Sequence, residues 1–156
     1  MTVDDGSDLI IAGFQKLGFI QFTGIEGVET GNGRSVISMT PKPEHLNHNG
    51  DVHAALLFGM GETAAMGAAV SGLWDLMAES FVVTSGGRIE YLARAKGAAG
   101  PYTATSDIPP ADYAAARTAA EQGASLELEV PFTVADADGR EVSRGGFVAI
   151  IRPRRK

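Results

Sequence analysis

The sequence predicts an α+β fold in which one antiparallel sheet curls around one long helix. From about Val52 to Met77 there is no proline and much alanine, and apolar residues fall nearly all round a helical wheel. A helix of that kind is central, wrapped by other elements. Two β-prone segments precede it, and further β-prone segments separated by turn residues follow, an order that belongs to α+β domains. With 156 residues and no internal repeat, low-complexity segment or linker, the chain is expected to form a single domain over 1–156. Its core should hold without cross-links.

The elements read in order. Ser7 is placed to cap a first helix in which Leu9, Ile10, Gly13, Phe14 and Leu17 recur at helical spacing, with Gly18 to end it. "FIQFTGIEGVET" and "RSVISMT", joined by Gly31-Asn32-Gly33, read as a β-hairpin. Pro41 and Pro43 stop the second strand, and residues 44 to 50 form a polar loop. In the long helix, Gly59, Gly61 and Gly67 each cost about 1 kcal/mol of helix propensity relative to Ala. Small residues there let a sheet approach closely. "SFVVTSGGRIEYLARA" alternates as a strand with a bulge or bend at Gly86-Gly87. "PYTATSDI" is another strand, and "PPADYAAARTAAEQG" is an inserted helix with proline at its start and Gly123 at its end. "SLELEVPFTVADADG" and "REVSRGGFVAIIR" form a last hairpin turning at residues 136 to 139.

Composition excludes several classes. A net charge of −6 argues against a nucleic-acid partner, whose binding rests on neutralised phosphates. The tail, with Arg152, Arg154, Arg155 and Lys156, is basic; it reads either as a solvated terminus or as an anion contact. The absence of cysteine removes disulfides, thiolate metal sites and a cysteine nucleophile. No stretch is expected to supply the roughly 20 apolar residues of a membrane-spanning helix. The start, "MTVDDGSD", lacks the features of a secretory signal, so the expectation is a cytoplasmic protein with no membrane partner. His45, His48 and His53 lie close together, but their spacing across a glycine-containing loop is no standard ligand pattern. No metal is expected.

The stretch "NHNGDVHAALLFGMGETAAMG" contains one acid in an otherwise apolar helix, Glu62. Its neighbours three and four positions away are Phe58, Gly59, Ala65 and Met66, none of them a cation. A carboxylate in such surroundings is costly unless it is paired, lies at an interface or has a raised pKa, and acids so placed are candidates for acid–base or nucleophilic work. The pattern formed by Asn47, Gly50, His53, Phe58 and Glu62 resembles the core motif of the hotdog-fold acyl-CoA thioesterases, in the phenylacetate-pathway and 4-hydroxybenzoyl-CoA branch. The inserted helix near 110 to 123 resembles an uncharacterised, domain-of-unknown-function offshoot of that branch. Two positions depart from the motif: Ala54-Ala55 stand where two glycines are usual, and Met66 stands where some members place a Thr near the reacting water.

The resemblance implies hydrolysis of an acyl-CoA or acyl-carrier thioester, with no cofactor beyond the coenzyme A carried by the substrate. Glu62 would be nucleophile or general base, and the N–H of Ala54, at the positive end of the helix dipole, the oxyanion donor. Asn47 would add a polar contact or orient water, and His53 would hold the loop and helix start. Gly50, Ala55, Phe58, Thr63, Thr84, Ser85, Arg94 and Lys96 are the expected substrate contacts. Arg88 and Arg152 are further candidates for the phosphates, and Leu57, Met60 and Trp74 for an acyl pocket, unless these are core. Glu62 lies eight residues beyond Ala54, about 12 Å along the axis, so one thioester can meet both only across two subunits. A homodimer with composite sites is therefore expected, with pairing into a homotetramer left open. Two rivals stand beside this reading. One is a non-catalytic acyl-CoA sensor; the other is a 3-hydroxyacyl thioester dehydratase using His48 and Glu62, whose spacing fits but whose expected proline-containing elements are missing.

Overall fold

The computed structural model of the protein describes residues 6 to 155. The first five residues of the acidic start and Lys156 of the basic tail lie outside them. The chain runs α1 (Ser7–Phe14), α2 (Gly18–Thr23), β1 (Glu26–Gly31), β2 (Arg34–Met39), α3 (Ala54–Gly72), β3 (Ser80–Tyr91), β4 (Tyr102–Asp107), α4 (Pro110–Glu121), β5 (Leu126–Ala135) and β6 (Glu141–Pro153). The strands form one sheet in the order β1-β2-β4-β5-β6-β3, every neighbouring pair antiparallel. α3 packs against all six of them, which is the α+β arrangement read from the sequence.

Small side chains make this wrapping possible. Leu57, Met60, Ala64, Ala65, Ala68 and Ala69 of α3 are buried in the main core. A Cβ on Gly61 would stand 2.4 Å from the Phe132 ring on β5, and one on Gly67 2.7 Å from Ser35 Oγ on β2. Gly59 has a different reason: its missing side chain makes room for Phe19 of α2, 2.7 Å from where a Cβ would lie. By length and composition α3 also meets the description of a membrane-crossing helix, with mean hydropathy 1.3. That corrects the expectation that no stretch would come close. Half of the stretch is buried within the protein, so its apolarity serves the core.

The segment "FIQFTGIEGVET" is not one strand. Its first half is α2, and pairing with β2 begins only at Glu26. Ile20 and Thr23 are buried three residues apart, the Thr23 hydroxyl donates to the Phe19 carbonyl at 2.8 Å, and Gly24 closes the helix at φ 70°. Burial at helical spacing here overrides the β preference of Phe, Ile and Thr. α1 stops at Phe14 rather than Leu17. Gln15 turns its amide to β1, donating to the Ile25 carbonyl at 3.2 Å and accepting from Gly27 N at 2.8 Å. Gly6, not Ser7, caps α1; the Ser7 hydroxyl reaches the Thr30 carbonyl instead.

The β1–β2 hairpin turns through Asn32 (φ 50°) and Gly33 (φ 83°), the pair of positive angles that matches strand twist. Gly33 N then donates to Ser71 Oγ at 3.1 Å, tying the turn to the end of α3. β3 carries its bulge between Thr84 and Gly86. It ends at Tyr91, so Arg94 and Lys96 do not lie on it as the sequence suggested. The chain instead leaves the sheet and passes under the start of α3, where Val52 N donates to the Ala95 carbonyl at 2.7 Å. α3 ends at Gly72, short of Met77, and Trp74–Leu76 form a separate 3-10 turn. α4 covers this end. Ala116 and Ala120 pack on Leu73 and Ile151, and Arg117 donates to both Asp75 oxygens at 2.8 Å and to the Gly72 carbonyl at 3.0 Å. Arg117's hydrogen bond holds the Asp75 carboxyl below its ordinary value.

The Gly61–Phe132 contact yields a test of close approach against propensity. Ala is the better helix former by about 1 kcal/mol, yet overpacking a full core costs about 1–3 kcal/mol. Gly61→Ala is expected to lower unfolding free energy by up to about 2 kcal/mol in urea titrations. A gain in stability would mean that the ring yields without strain.

Candidate active site

The site is built on the start and middle of α3. His53 caps the helix: its Nδ1 accepts from Ala55 N at 3.1 Å, one of the orphan donors that every helix start leaves. Ala55 N–H is therefore occupied, which removes it as a backbone donor to substrate. Ala54 N–H, at the first helical position, has no partner among the described residues, and Ala54 is exposed. Tyr91, which the sequence reading did not single out, donates its hydroxyl to the Ala54 carbonyl at 3.1 Å.

The preceding loop is held from several sides. Asn47 Oδ1 accepts from Asn49 N at 2.9 Å and from Asp51 N at 3.2 Å, so this oxygen is turned into its own loop and only the amide nitrogen is left for other work. Gly50 sits at φ 73° and its carbonyl accepts from Gly97 N at 2.9 Å. Arg94 grips Asp51 with two hydrogen bonds, at 2.9 and 3.2 Å, and reaches the Asn49 carbonyl at 3.4 Å. Its role here is to set the loop. Lys96 stands beside the same loop, its backbone bridged to Asp51, and its side chain has no ion pair among the described residues. Arg88 is paired with Glu129. His45 is buried and its Nδ1 accepts from Lys42 N at 3.0 Å. No cluster of potential metal ligands occurs among the described residues.

Glu62 lies two turns further along. It is half-buried, makes no hydrogen bond or ion pair among the described residues, and desolvation raises its carboxyl above the ordinary value. It lines a cleft of about 470 Å³ between α3 and the two N-terminal helices. Thr63 and Met66 flank it there, and Trp74 lies in the same wall. The other acyl-pocket candidates are core: Leu57 and Met60 are buried, and Phe58 packs on Phe147 with ring centroids 4.8 Å apart. The opposite wall, from Leu9 to Ile20, belongs to α1 and α2 and was not anticipated as part of the site. Its only signal in the sequence was an apolar stripe, which also describes an ordinary packing face.

Thr84 and Ser85 are not brought to Glu62 within the chain. Both lie on the exposed part of β3, and the Thr84 hydroxyl donates to the Gly86 carbonyl at 3.3 Å. His48 is an exposed loop residue with no hydrogen bond or ion pair to Glu62, so the dehydratase pair is not joined within one chain.

A family model described as a domain of unknown function, DUF4442, matches residues 12–151. The chain belongs to that family. Among solved structures, this DUF4442 domain is similar to a Pseudomonas aeruginosa protein of unknown function described as a probable thioesterase, with TM-score 0.78 and 20% identity over 94% of this chain and 95% of that one. It is also similar to AziG of S. sahachiroi, with TM-score 0.70 and 22% identity over 89% and 98% of the two chains. The PaaI protein of the E. coli phenylacetic acid degradation operon aligns with TM-score 0.66 and 17% identity over 92% and 89%. The shared architecture is the hotdog fold. A comparison with curated proteins finds no match.

The raised carboxyl of Glu62 has a consequence for stability. Because its folded-state pKa exceeds the unfolded one, its favourable contribution is present in acid and is lost as pH rises through the folded value. Glu62→Gln removes the cost of burying the charge. The variant is expected to unfold at higher temperature than wild type at pH 7, and the gap should close towards pH 4, as read by thermal melts at both pH values. A gap independent of pH would show that packing, not charge burial, sets the difference.

Proposed function

We propose that this DUF4442 domain hydrolyses acyl-CoA or acyl-carrier thioesters, with Glu62 as the general base. The observation that carries the reading is Glu62 itself: a half-buried carboxylate without a partner among the described residues, proton affinity raised, at an apolar cleft. A stability role would leave it paired; a base benefits from a pKa moved towards neutrality. Water attacks the thioester carbonyl carbon while Glu62 takes its proton. The tetrahedral oxyanion is held by the N–H of the partner subunit's Ala54, and collapse breaks the C–S bond, the thiolate leaving with the proton from Glu62. The products are a carboxylic acid and a free thiol.

The spacing along α3 supports a homodimer for this reaction. Glu62 and Ala54 of one chain are about 12 Å apart on one rigid helix, too far for one carbonyl. β3 supplies a surface for the second chain: it is 12 residues long and hydrogen-bonded to β6 on one side only. Val83 and Tyr91 on it are 45% and 50% exposed, and such an edge invites pairing unless it is covered. Lys96, beside the loop before α3 and without an ion pair among the described residues, is our candidate for the phosphates of coenzyme A, whereas Arg94 is committed to Asp51.

The test is a panel of acyl-CoAs assayed by thiol release. Glu62→Gln is expected to lose about a hundredfold or more in kcat. Ala54→Pro is the matching backbone variant. Proline is tolerated at the first helical position and lacks only the N–H, and His53 at ψ 135° already has the extended conformation that a following proline requires. It should fold normally and lose about 10²–10³ in kcat. Refolding the two variants together at equal ratio should restore about a quarter of wild-type activity, because half the dimers are mixed and each mixed dimer has one intact composite site. No restoration would sink the shared site, and full activity of Glu62→Gln would sink the base. Tight acyl-CoA binding without turnover would favour a sensor.

A further inference from the structure

The walls of the cleft beside Glu62 have an order that bears on what enters it. On α3 the lining residues include Glu62, Met66, Val70 and, in the turn beyond, Trp74, successive positions four apart and therefore one stripe along the helix, with Thr63 and Gly67 beside it. Facing them on α1 are Leu9, Ile10 and Phe14. Only Ile10 among these packs fully, whereas Leu9 is 63% exposed, and Leu17 just after α1 is 55% exposed. The two helices therefore stand apart over a groove that their own side chains do not fill. Its 470 Å³ falls in the range of small-molecule sites. Among the described residues that line it, Glu62 is the one ionisable side chain, and on α3 it is the first of the stripe, so the charge they supply lies at the head of whatever enters.

We propose that this groove binds an unbranched hydrocarbon chain, its carbonyl head at Glu62 and its tail running between α1 and α3 towards Trp74. The assignment of head and tail rests on the thioester reading; the groove's preference for a chain does not. From Glu62 to Val70 is eight residues, about 12 Å. An extended chain gains about 1.25 Å per C–C bond of about 1.5 Å. The groove thus matches a chain of roughly ten carbons rather than a bulky ring. Val70 sets the limit, with Trp74 in the turn beyond it at the far end of the groove.

Trp74 is the sole tryptophan of the chain, so its emission reports occupancy directly. The probe is a series of straight-chain methyl ketones, neutral and not hydrolysable, titrated into the full chain. Affinity should rise about fourfold for each added methylene and level off near ten carbons. Val70→Phe should lower that limit by several carbons while leaving the shorter ketones unaffected, with unchanged circular dichroism as the check on folding. An emission that responds to no ketone overturns the proposal in wild type alone, without recourse to a variant. Emission that changes with protein concentration and ignores the ketones overturns it in favour of a second copy of the chain on the groove. An unshifted limit in folded Val70→Phe overturns the placement of the tail. Ketone binding without hydrolysis of any acyl-CoA would refute the hydrolase and leave the groove standing. Hydrolysis of short or aromatic acyl-CoAs with a silent Trp74 would do the reverse.

Discussion

A helix enclosed by a sheet has to be thin on the faces the sheet touches, and this requirement governs the molecule. α3 meets it with alanines and with glycines at 61 and 67, where a methyl group would collide with Phe132 or Ser35. The enclosure makes α3 a rigid rod whose positions are set by the strands around it. Anything mounted on that rod keeps its separation, which is why the proposed reaction draws the N–H of Ala54 and the carboxylate of Glu62 from two different chains. The face that the sheet leaves uncovered is the one that carries Glu62, and α1 and α2 stand opposite it.

The two ends of the proposed chemistry are made in different ways. At the helix start the work is done by hydrogen bonds. His53 takes up Ala55 N–H, Asn47 ties the loop to itself, and Arg94 anchors Asp51. The result is a helix start with one donor left over. At Glu62 the work is done by the absence of bonds: an apolar setting withholds solvent and counter-charge, and the carboxyl responds by holding its proton more tightly. One site is defined by what is satisfied, the other by what is not.

Much of this was legible in the sequence, for identifiable reasons. α3, the Asn32-Gly33 turn, the bulge near Gly86 and α4 were all marked by residues with strong local preferences. Glu62 was visible as a lone acid in an apolar helix. α2 was not, because Phe19, Ile20, Phe22 and Thr23 favour strands locally and only the burial of Ile20 and Thr23 makes them helical. Arg94 and Lys96 read as strand residues for a similar reason: nothing local announces that the chain leaves the sheet after Tyr91. Periodicity could say that Phe58, Met60 and Trp74 were apolar, but not which faced the sheet and which the cleft. That distinction depends on where the partner elements lie, which is a property of the assembled fold.

α4 is attached at the end of α3 remote from Ala54, through Arg117 to Gly72 and Asp75 and through Ala116 and Ala120 to Leu73. Its bonds stop where α3 stops. An insertion placed there acts as a buttress on the blunt end of the rod and adds no side chain to the cleft beside Glu62. Its contacts with Gly72 and Asp75 flank Trp74 at the far end of the cleft and lie away from Ala54 and Glu62. An insertion at this end thickens the domain without lengthening the path between the helix start and Glu62.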